Sequence, residues 1–252
     1  MDRFIKAIYK ICAVVFTVCV FLTTGFLAII APALNPSFYA EQFRKIDLFG
    51  APVIETVRAQ AFYIEQRQAH EYIAQITEEQ LVGLMMHTIA YCLHLEDDLN
   101  ITVDGEYLEI FRQDEISHMQ DVKNIFGGGI ILTAISTMFL VVLLCLGLVK
   151  KKGYYENCRK TPYFTLIAIF ALFAILGVVI AVDFNGAFDL FHRIFFSGNY
   201  AFADGVMIAM ISNIFFDLVP IIFIVWIVML GLFTGGIALY NYTLSLKFEQ
   251  NQ

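Results

Sequence analysis

Charged residues are scarce in this sequence, and four long apolar segments contain none of them. Asp, Glu, Lys and Arg make up 15% of the 252 residues, whereas hydrophobic residues make up 59%. This composition excludes an ordinary soluble domain, in which about a quarter of the residues are charged. Because a bilayer core about 30 Å thick needs about 20 apolar residues per helix, we predict four membrane-spanning helices. They cover residues 11–33, 130–149, 163–182 and 218–240.

The sequence also lacks the patterns of disulfide frameworks, metal centres and cofactor sites. Cys92 is the only cysteine in the long segment between the first two apolar runs, so no disulfide framework is expected there. His87 and His94 are seven positions apart, whereas the paired histidines of a helical zinc site are four apart. No G-x-S-x-G elbow, Walker motif, dinucleotide fingerprint or calcium loop occurs. We therefore expect neither a metal nor a cofactor.

Basic residues cluster beside the first apolar run and in the short loop between the second and third runs. Arg3, Lys6 and Lys10 precede the first run, and five more basic residues lie in that loop. Because short cytoplasmic loops are enriched in Lys and Arg, we expect both termini in the cytoplasm. Most acidic residues then lie outside, and this acidic surface argues against nucleic acid as a partner. The first run is longer than a signal-peptide core, which predicts a retained helix.

The first outer segment is the region long enough for a small domain, and its pattern is mostly helical. Residues 77–80, Thr-Glu-Glu-Gln, predict a helix start with a capping box. Asp104-Gly105 predicts a tight β-hairpin. Asp114 predicts the N-cap of a helix that carries His118. Three glycines at 127–129 are expected to separate that helix from the second span.

The sequence therefore predicts an all-α integral membrane protein with four transmembrane helices. A mostly helical extracytoplasmic domain, which can include a small β-hairpin, lies between the first two. Apolar residues 206–216 are expected in the membrane interface before the fourth span. The predicted segments are 1–33 (cytoplasmic N-terminus and first span), 34–129 (extracytoplasmic domain), 130–149 (second span), 150–162 (cytoplasmic loop), 163–182 (third span), 183–217 (extracytoplasmic and interfacial loop), 218–240 (fourth span) and 241–252 (cytoplasmic tail).

Two histidines lie at the same predicted membrane face. His118 precedes the second span and His192 follows the third. Because histidine exchanges protons near neutral pH, the pair indicates proton-transfer chemistry on a lipid. Carboxylates lie one helical turn away at Asp121 and Asp189, and Arg193 is adjacent to His192. The alternatives are a solvated surface histidine in the first case and an interfacial anchor in the second.

The segments around both histidines resemble those of one bacterial family. Ser117-His-Met-Gln-Asp-Val-Lys123 resembles its H-[ML]-x-D-V-[KR] element. Phe191-His-x-x-Phe-Phe196, followed by an Asp and by Phe215-Phe216, resembles its second element. On these motifs the chain is similar to the lipoprotein intramolecular transacylase family over nearly its whole length. Asp204 matches one acidic position of the family, whereas the loop at 197–204 is shorter and lacks the family's Trp and Asp-Pro.

The resemblance implies a four-span enzyme of the bacterial cytoplasmic membrane that acts at the outer face. Its substrates would be lipoproteins that carry diacylglycerol on an N-terminal cysteine. The sn-2 acyl chain would move from glycerol to the α-amine of that cysteine, which gives an N-acyl S-monoacylglyceryl (lyso) lipoprotein. His118 and His192 would be the catalytic acid and base, without a cofactor. The expected supporting residues are Asp121, Asp189, Arg193 and Asp204.

Two other function classes are compatible with the residues. A non-enzymatic membrane adaptor would dock a partner protein through the large outer segment. A small transporter would carry charges within its spans, and only Asp217, at the start of the fourth, comes close to that position.

Overall fold

The computed structural model describes residues 3–47, 50–145, 152–196 and 204–249. The described chain is almost entirely helical, with one short antiparallel hairpin. Its elements in chain order are α1 (Arg3–Ala33), α2 (Pro36–Arg44), α3 (Val53–Ala59), a 3-10 turn (Gln60–Tyr63), α4 (Arg67–Ala74), α5 (Glu78–Cys92), β1 (Ile101–Val103), β2 (Glu106–Leu108), α6 (Gln113–Cys145), α7 (Lys152–Cys158), α8 (Thr161–Val182), α9 (Phe184–Phe195) and α10 (Val206–Glu249).

Within the described residues, four helical segments are long and apolar enough to cross a membrane, as the sequence predicts. They are Arg3–Ala33, Gln113–Leu143, Glu156–Val182 and Asp217–Lys247. The protein is therefore an all-α, multi-pass membrane protein, because helices satisfy their own backbone hydrogen bonds in lipid. The predicted end of the second span, residues 146–149, lies outside the described residues.

The described chain divides into two compact units. We call the first, made of Met1–Ala28, Gly129–Phe188 and Phe223–Gln252, the span unit. The second, made of Ile29–Gly128 and Asp189–Ile222, is the head unit. In the span unit, the Trp226 ring packs against Phe21 with centroids 4.5 Å apart and donates a hydrogen bond to Thr24 Oγ1 at 3.2 Å.

The head unit has its own hydrophobic core, to which α5 contributes one full face. The predicted capping box is confirmed: the Gln80 N–H donates to Thr77 Oγ1 at 3.2 Å, and the Thr77 N–H donates to Gln80 Oε1 at 2.8 Å. The predicted hairpin is confirmed as well, with Asp104 at φ 52° and Gly105 at φ 85° in the turn. Positive φ at both turn residues is what a tight hairpin of this hand requires. Buried members of this core include Tyr39, Phe43, Val57, Ile73, Leu81, Leu84 and Leu108.

Two details of the helix that carries His118 differ from the prediction. Asp114 is not its N-cap, because α6 begins at Gln113 and Asp114 is the second residue of the helix. The residue before the helix is Arg112. The Arg112 N–H donates to Glu115 Oε2 at 2.9 Å. A glutamate side chain therefore reaches back to the first turn, as in one half of a capping box.

The glycines at 127–129 do not separate this helix from the second span, since α6 is continuous through them. Their small size has another use. A Cβ on Gly127 would lie 2.6 Å from Nε2 of His94, and a Cβ on Gly129 would overlap the Phe26 ring. Because glycine has no side chain, a ring can pack directly on the helix at each of these two positions. This packing offsets the low helix propensity of glycine.

The predicted interfacial segment at 206–216 is likewise not separate from the fourth span. Both belong to α10, which contains Pro220 in its interior. Val206, Met207 and Met210 are buried in the core of the head unit. The hydrophobicity of this stretch therefore reflects packing within the protein.

Candidate active site

The structure brings His118 and His192 together in the head unit. His118 lies in the second turn of α6, and His192 lies in the last turn of α9. The imidazole centroids are 6.2 Å apart, and the ring planes differ by 15°. Two side chains that are 74 positions apart in the sequence thus form one nearly parallel pair.

A third ring, that of Phe196, contacts both imidazoles. Its centroid lies 4.6 Å from that of His118 and 4.8 Å from that of His192, with stacked geometry in each case. Phe196 follows α9 directly, and its N–H donates to the His192 carbonyl at 2.8 Å. Phe191 adds an edge contact to His192 at 5.4 Å. The aromatic rings limit the access of water, and His192 is only 8% exposed.

Charged residues lie close to both histidines along their helices. Asp121, one turn after His118, interacts electrostatically with the imidazole. Asp189 forms an ion pair with Arg193 at 2.7 Å. The Arg193 side chain is 72% exposed, so its charge lies at the surface of α9.

Asp204 has a different partner from the other predicted supporting residues. Its carboxylate accepts a short hydrogen bond from Arg112, which also binds Asp114 through two further hydrogen bonds of 3.1 and 3.2 Å. The hydrogen bonds to Asp114, followed by the one to Asp204, raise the pKa of Arg112, so the guanidinium stays charged. Asp204 thus belongs to an ion-pair network at the start of α6.

Glu115 is a buried residue of this region that the sequence reasoning missed. It is 1% exposed and lies one turn before His118. Its place at the third position of a helix, where capping glutamates occur, was the available signal. The sequence does not reveal its second contact, with the start of α10, because more than 90 residues separate the two.

Two imidazoles at this separation suit acid–base chemistry. Protonation of one ring disfavours protonation of the other, because two like charges close together repel. A pair with one neutral and one protonated ring holds a base and an acid at the same time. General acid–base catalysis needs both functions within reach of the reacting atoms.

The same residues do not form a metal centre. Among residues 3–47, 50–145, 152–196 and 204–249, no group of three or more His, Cys, Asp or Glu is arranged to hold a metal ion. Two histidines are fewer ligands than zinc takes from a protein. Cys92, in α5, is buried, and burial raises the pKa of its thiol to about 12, so it is a poor nucleophile near neutral pH.

Comparisons with known proteins agree with the motifs around the histidines. Two solved structures of a membrane-integral lipoprotein intramolecular transacylase Lit from Bacillus cereus have the same fold. One, with a histidine replaced by arginine, has a TM-score of 0.66 and 16% identity, and the match covers 99% of this chain and 97% of that chain. The other, with a histidine replaced by alanine, has a TM-score of 0.63 and 17% identity, with 98% of each chain covered.

A search of curated proteins gives no significant match. The profile of the family described as lipoprotein intramolecular transacylase Lit matches residues 14–216, which is most of the sequence. The chain therefore belongs to the lipoprotein intramolecular transacylase Lit family.

Proposed function

We propose that this protein transfers the sn-2 acyl chain of a diacylglyceryl lipoprotein to the α-amine of the same N-terminal cysteine. The observation that carries the proposal is the imidazole pair of His118 and His192, with centroids 6.2 Å apart. Family membership supports a transacylase that acts on lipoproteins, and it weighs against an adaptor or a transporter.

The proposed reaction exchanges one bond for another within a single substrate molecule. The amine nitrogen attacks the ester carbonyl, the C–N bond forms, and the bond from carbonyl carbon to glycerol oxygen breaks. The nitrogen loses a proton, and the glycerol oxygen gains one. No proton is consumed overall: one histidine accepts a proton and the other donates one. Return of a proton from the first histidine to the second restores the pair for the next turnover.

The surroundings of the histidines suggest how they divide this work. His192 lies on α9, whose exposed surface is rich in phenylalanine, so we assign it to the ester and the departing oxygen. His118 then takes the proton of the amine. Asp121 would orient His118, and the Asp189–Arg193 pair would orient α9 and stabilise the oxyanion of the tetrahedral intermediate.

The apolar face of α9 supports a place for it at the lipid boundary. Phe184, Phe188, Phe191 and Phe195 recur at helical spacing and are all 45–51% exposed. α9 follows the spanning helix α8 after a single residue, Asp183. Phenylalanines that rest among acyl chains would hold His192 near the depth of a glycerol ester.

We place this site at the outer face of a bacterial cytoplasmic membrane, with both termini inside. The expected result is that, in a protein with all five cysteines replaced, Gln68→Cys on the exposed side of α4 reacts with an impermeant maleimide on intact cells. Lys160→Cys, in the basic loop, should react only after permeabilisation. The reverse pattern would contradict this orientation.

The proposed function is tested with a reporter lipoprotein from cells with and without this protein. Because the transfer is an isomerisation, the mass of the N-terminal lipopeptide should stay the same. The free amine should disappear, and tandem mass spectrometry should find the acyl chain on nitrogen. A gain in mass of one acyl chain would indicate transfer from a second lipid. An α-amine that stays free in the presence of the protein would contradict the proposal.

A further inference from the structure

The first turns of α6 and α10 meet at the buried carboxylate of Glu115. Its Oε2 accepts a hydrogen bond from the Arg112 N–H at 2.9 Å, and its Oε1 accepts one from the Met207 N–H at 2.8 Å. A buried carboxylate is costly unless hydrogen bonds satisfy it. Backbone donors at the start of two helices provide them, and the N-terminal ends of helices favour negative charge.

Gly205 allows the carboxylate to approach the chain so closely. Its φ is +124°, a conformation that side-chain-bearing residues rarely adopt, and a Cβ there would overlap the carboxylate of Glu115. The Gly205 N–H donates to Gln60 Oε1 at 2.8 Å. The corner before α10 is therefore shaped to receive Glu115.

Arg112 joins the same two segments through charge. Its guanidinium binds Asp114, in the first turn of α6, and Asp204, just before α10. Arg112, Glu115, Asp204, Gly205 and Met207 thus connect the start of α6 to the start of α10 by two independent kinds of contact. We call these five residues the clasp.

The clasp lies one helical turn from His118. Residues three apart share a face of a helix, so the direction of Glu115 sets the direction of His118. Met119, which is 4% exposed, packs in the core beside them. On the opposite side, His192 is the one buried residue of the described helix α9. The placement of the pair thus depends on how firmly α6 is held.

We propose that Glu115 and Arg112 are positioning residues, which fix the rotation of α6 so that His118 faces His192. The clasp need not touch the substrate to affect the reaction. A displacement of about 1 Å in a catalytic group can lower a rate by about 100-fold. This inference rests on the proposed acid–base role of the two histidines.

The test compares Glu115→Ala and Gly205→Ala with wild type, with purified protein in lipid and a diacylglyceryl lipopeptide. Both variants disturb the clasp: the first removes the carboxylate on α6, and the second adds a methyl group at the residue that precedes α10. We expect kcat to fall by about 10- to 100-fold with little change in KM. The pH dependence of kcat should also shift, because the separation of the rings decides how strongly one charge disfavours the other.

Arg58→Ala is the matched control. Arg58 donates two hydrogen bonds to the Ile76 carbonyl, at 3.0 and 2.7 Å, in the same unit. Its loss should lower Tm without changing the pH dependence of kcat. If the clasp variants behave like this control, the positioning role is overturned.

One further variant and the activity of wild type keep the test decisive. If Glu115→Ala does not fold, Asp204→Asn weakens the clasp at a partly exposed position. It should lower kcat and shift its pH dependence in the same direction, and an unchanged profile would contradict the inference. Failure of wild type to acylate the amine would instead refute the proposed function.

Discussion

Replacement of His118 or His192 by alanine is expected to lower the rate of acyl transfer by about 100- to 10,000-fold, the range that general acid–base catalysis contributes. The reason is that, in the proposed reaction, each transfer moves one proton off nitrogen and one onto oxygen. With one imidazole removed, water must replace it in a site that Phe196 and Phe191 make apolar. The rate is measured as loss of the free amine of the lipopeptide.

The two histidines should also behave as one unit. Because both are proposed to serve the same proton exchange, the double alanine variant should be only slightly slower than the slower single variant. A loss of rate in the double variant equal to the product of the two single losses would indicate that the histidines act independently. Such additivity would argue against the shared cycle that the ring contacts suggest.

His70→Ala is the control for this series. His70 is an exposed histidine on α4 in the same unit, so its loss should leave the rate unchanged. Each variant should be recovered from the membrane with a Tm close to that of wild type. Full activity in His118→Ala or His192→Ala would remove that residue from the mechanism.

Local sequence patterns predicted the elements that depend on neighbouring residues. The capping box at Thr77 and the hairpin at Asp104-Gly105 each rest on contacts within a few residues. The four spans follow from length and hydrophobicity alone, which is why they too could be predicted. Motif resemblance identifies His118 and His192 from the sequence, although 74 positions separate them.

Predictions that depended on distant partners were wrong or missing. Glycines at 127–129 predicted a break, but α6 continues through them, and the rings of His94 and Phe26 occupy the space that side chains at Gly127 and Gly129 would need. Burial of Val206, Met207 and Met210 could not be inferred, since the same hydrophobicity is typical of an interfacial segment. Asp204, which the family resemblance places among the supporting residues, forms an ion pair with Arg112 that the sequence does not reveal.

The second large expected effect is complete retention of the acyl chain within one substrate molecule. In the proposed site the amine and the ester belong to the same lipopeptide, so a single binding event brings them together. Placing both groups in one molecule can lower the barrier by about 7–11 kcal/mol in well-oriented cases. Transfer between two molecules would forgo much of this advantage.

The most direct measurement mixes two diacylglyceryl lipopeptides of different peptide mass with purified protein and unlabelled phospholipid. Only one lipopeptide carries a heavy isotope in its sn-2 chain. The account predicts that the transferred heavy chain is found on the nitrogen of that same peptide and on no other peptide. It also predicts that His118→Ala and His192→Ala each slow this transfer by about 100- to 10,000-fold. Heavy label on the second peptide, or an unlabelled chain from phospholipid on the nitrogen of the first, would contradict intramolecular transfer.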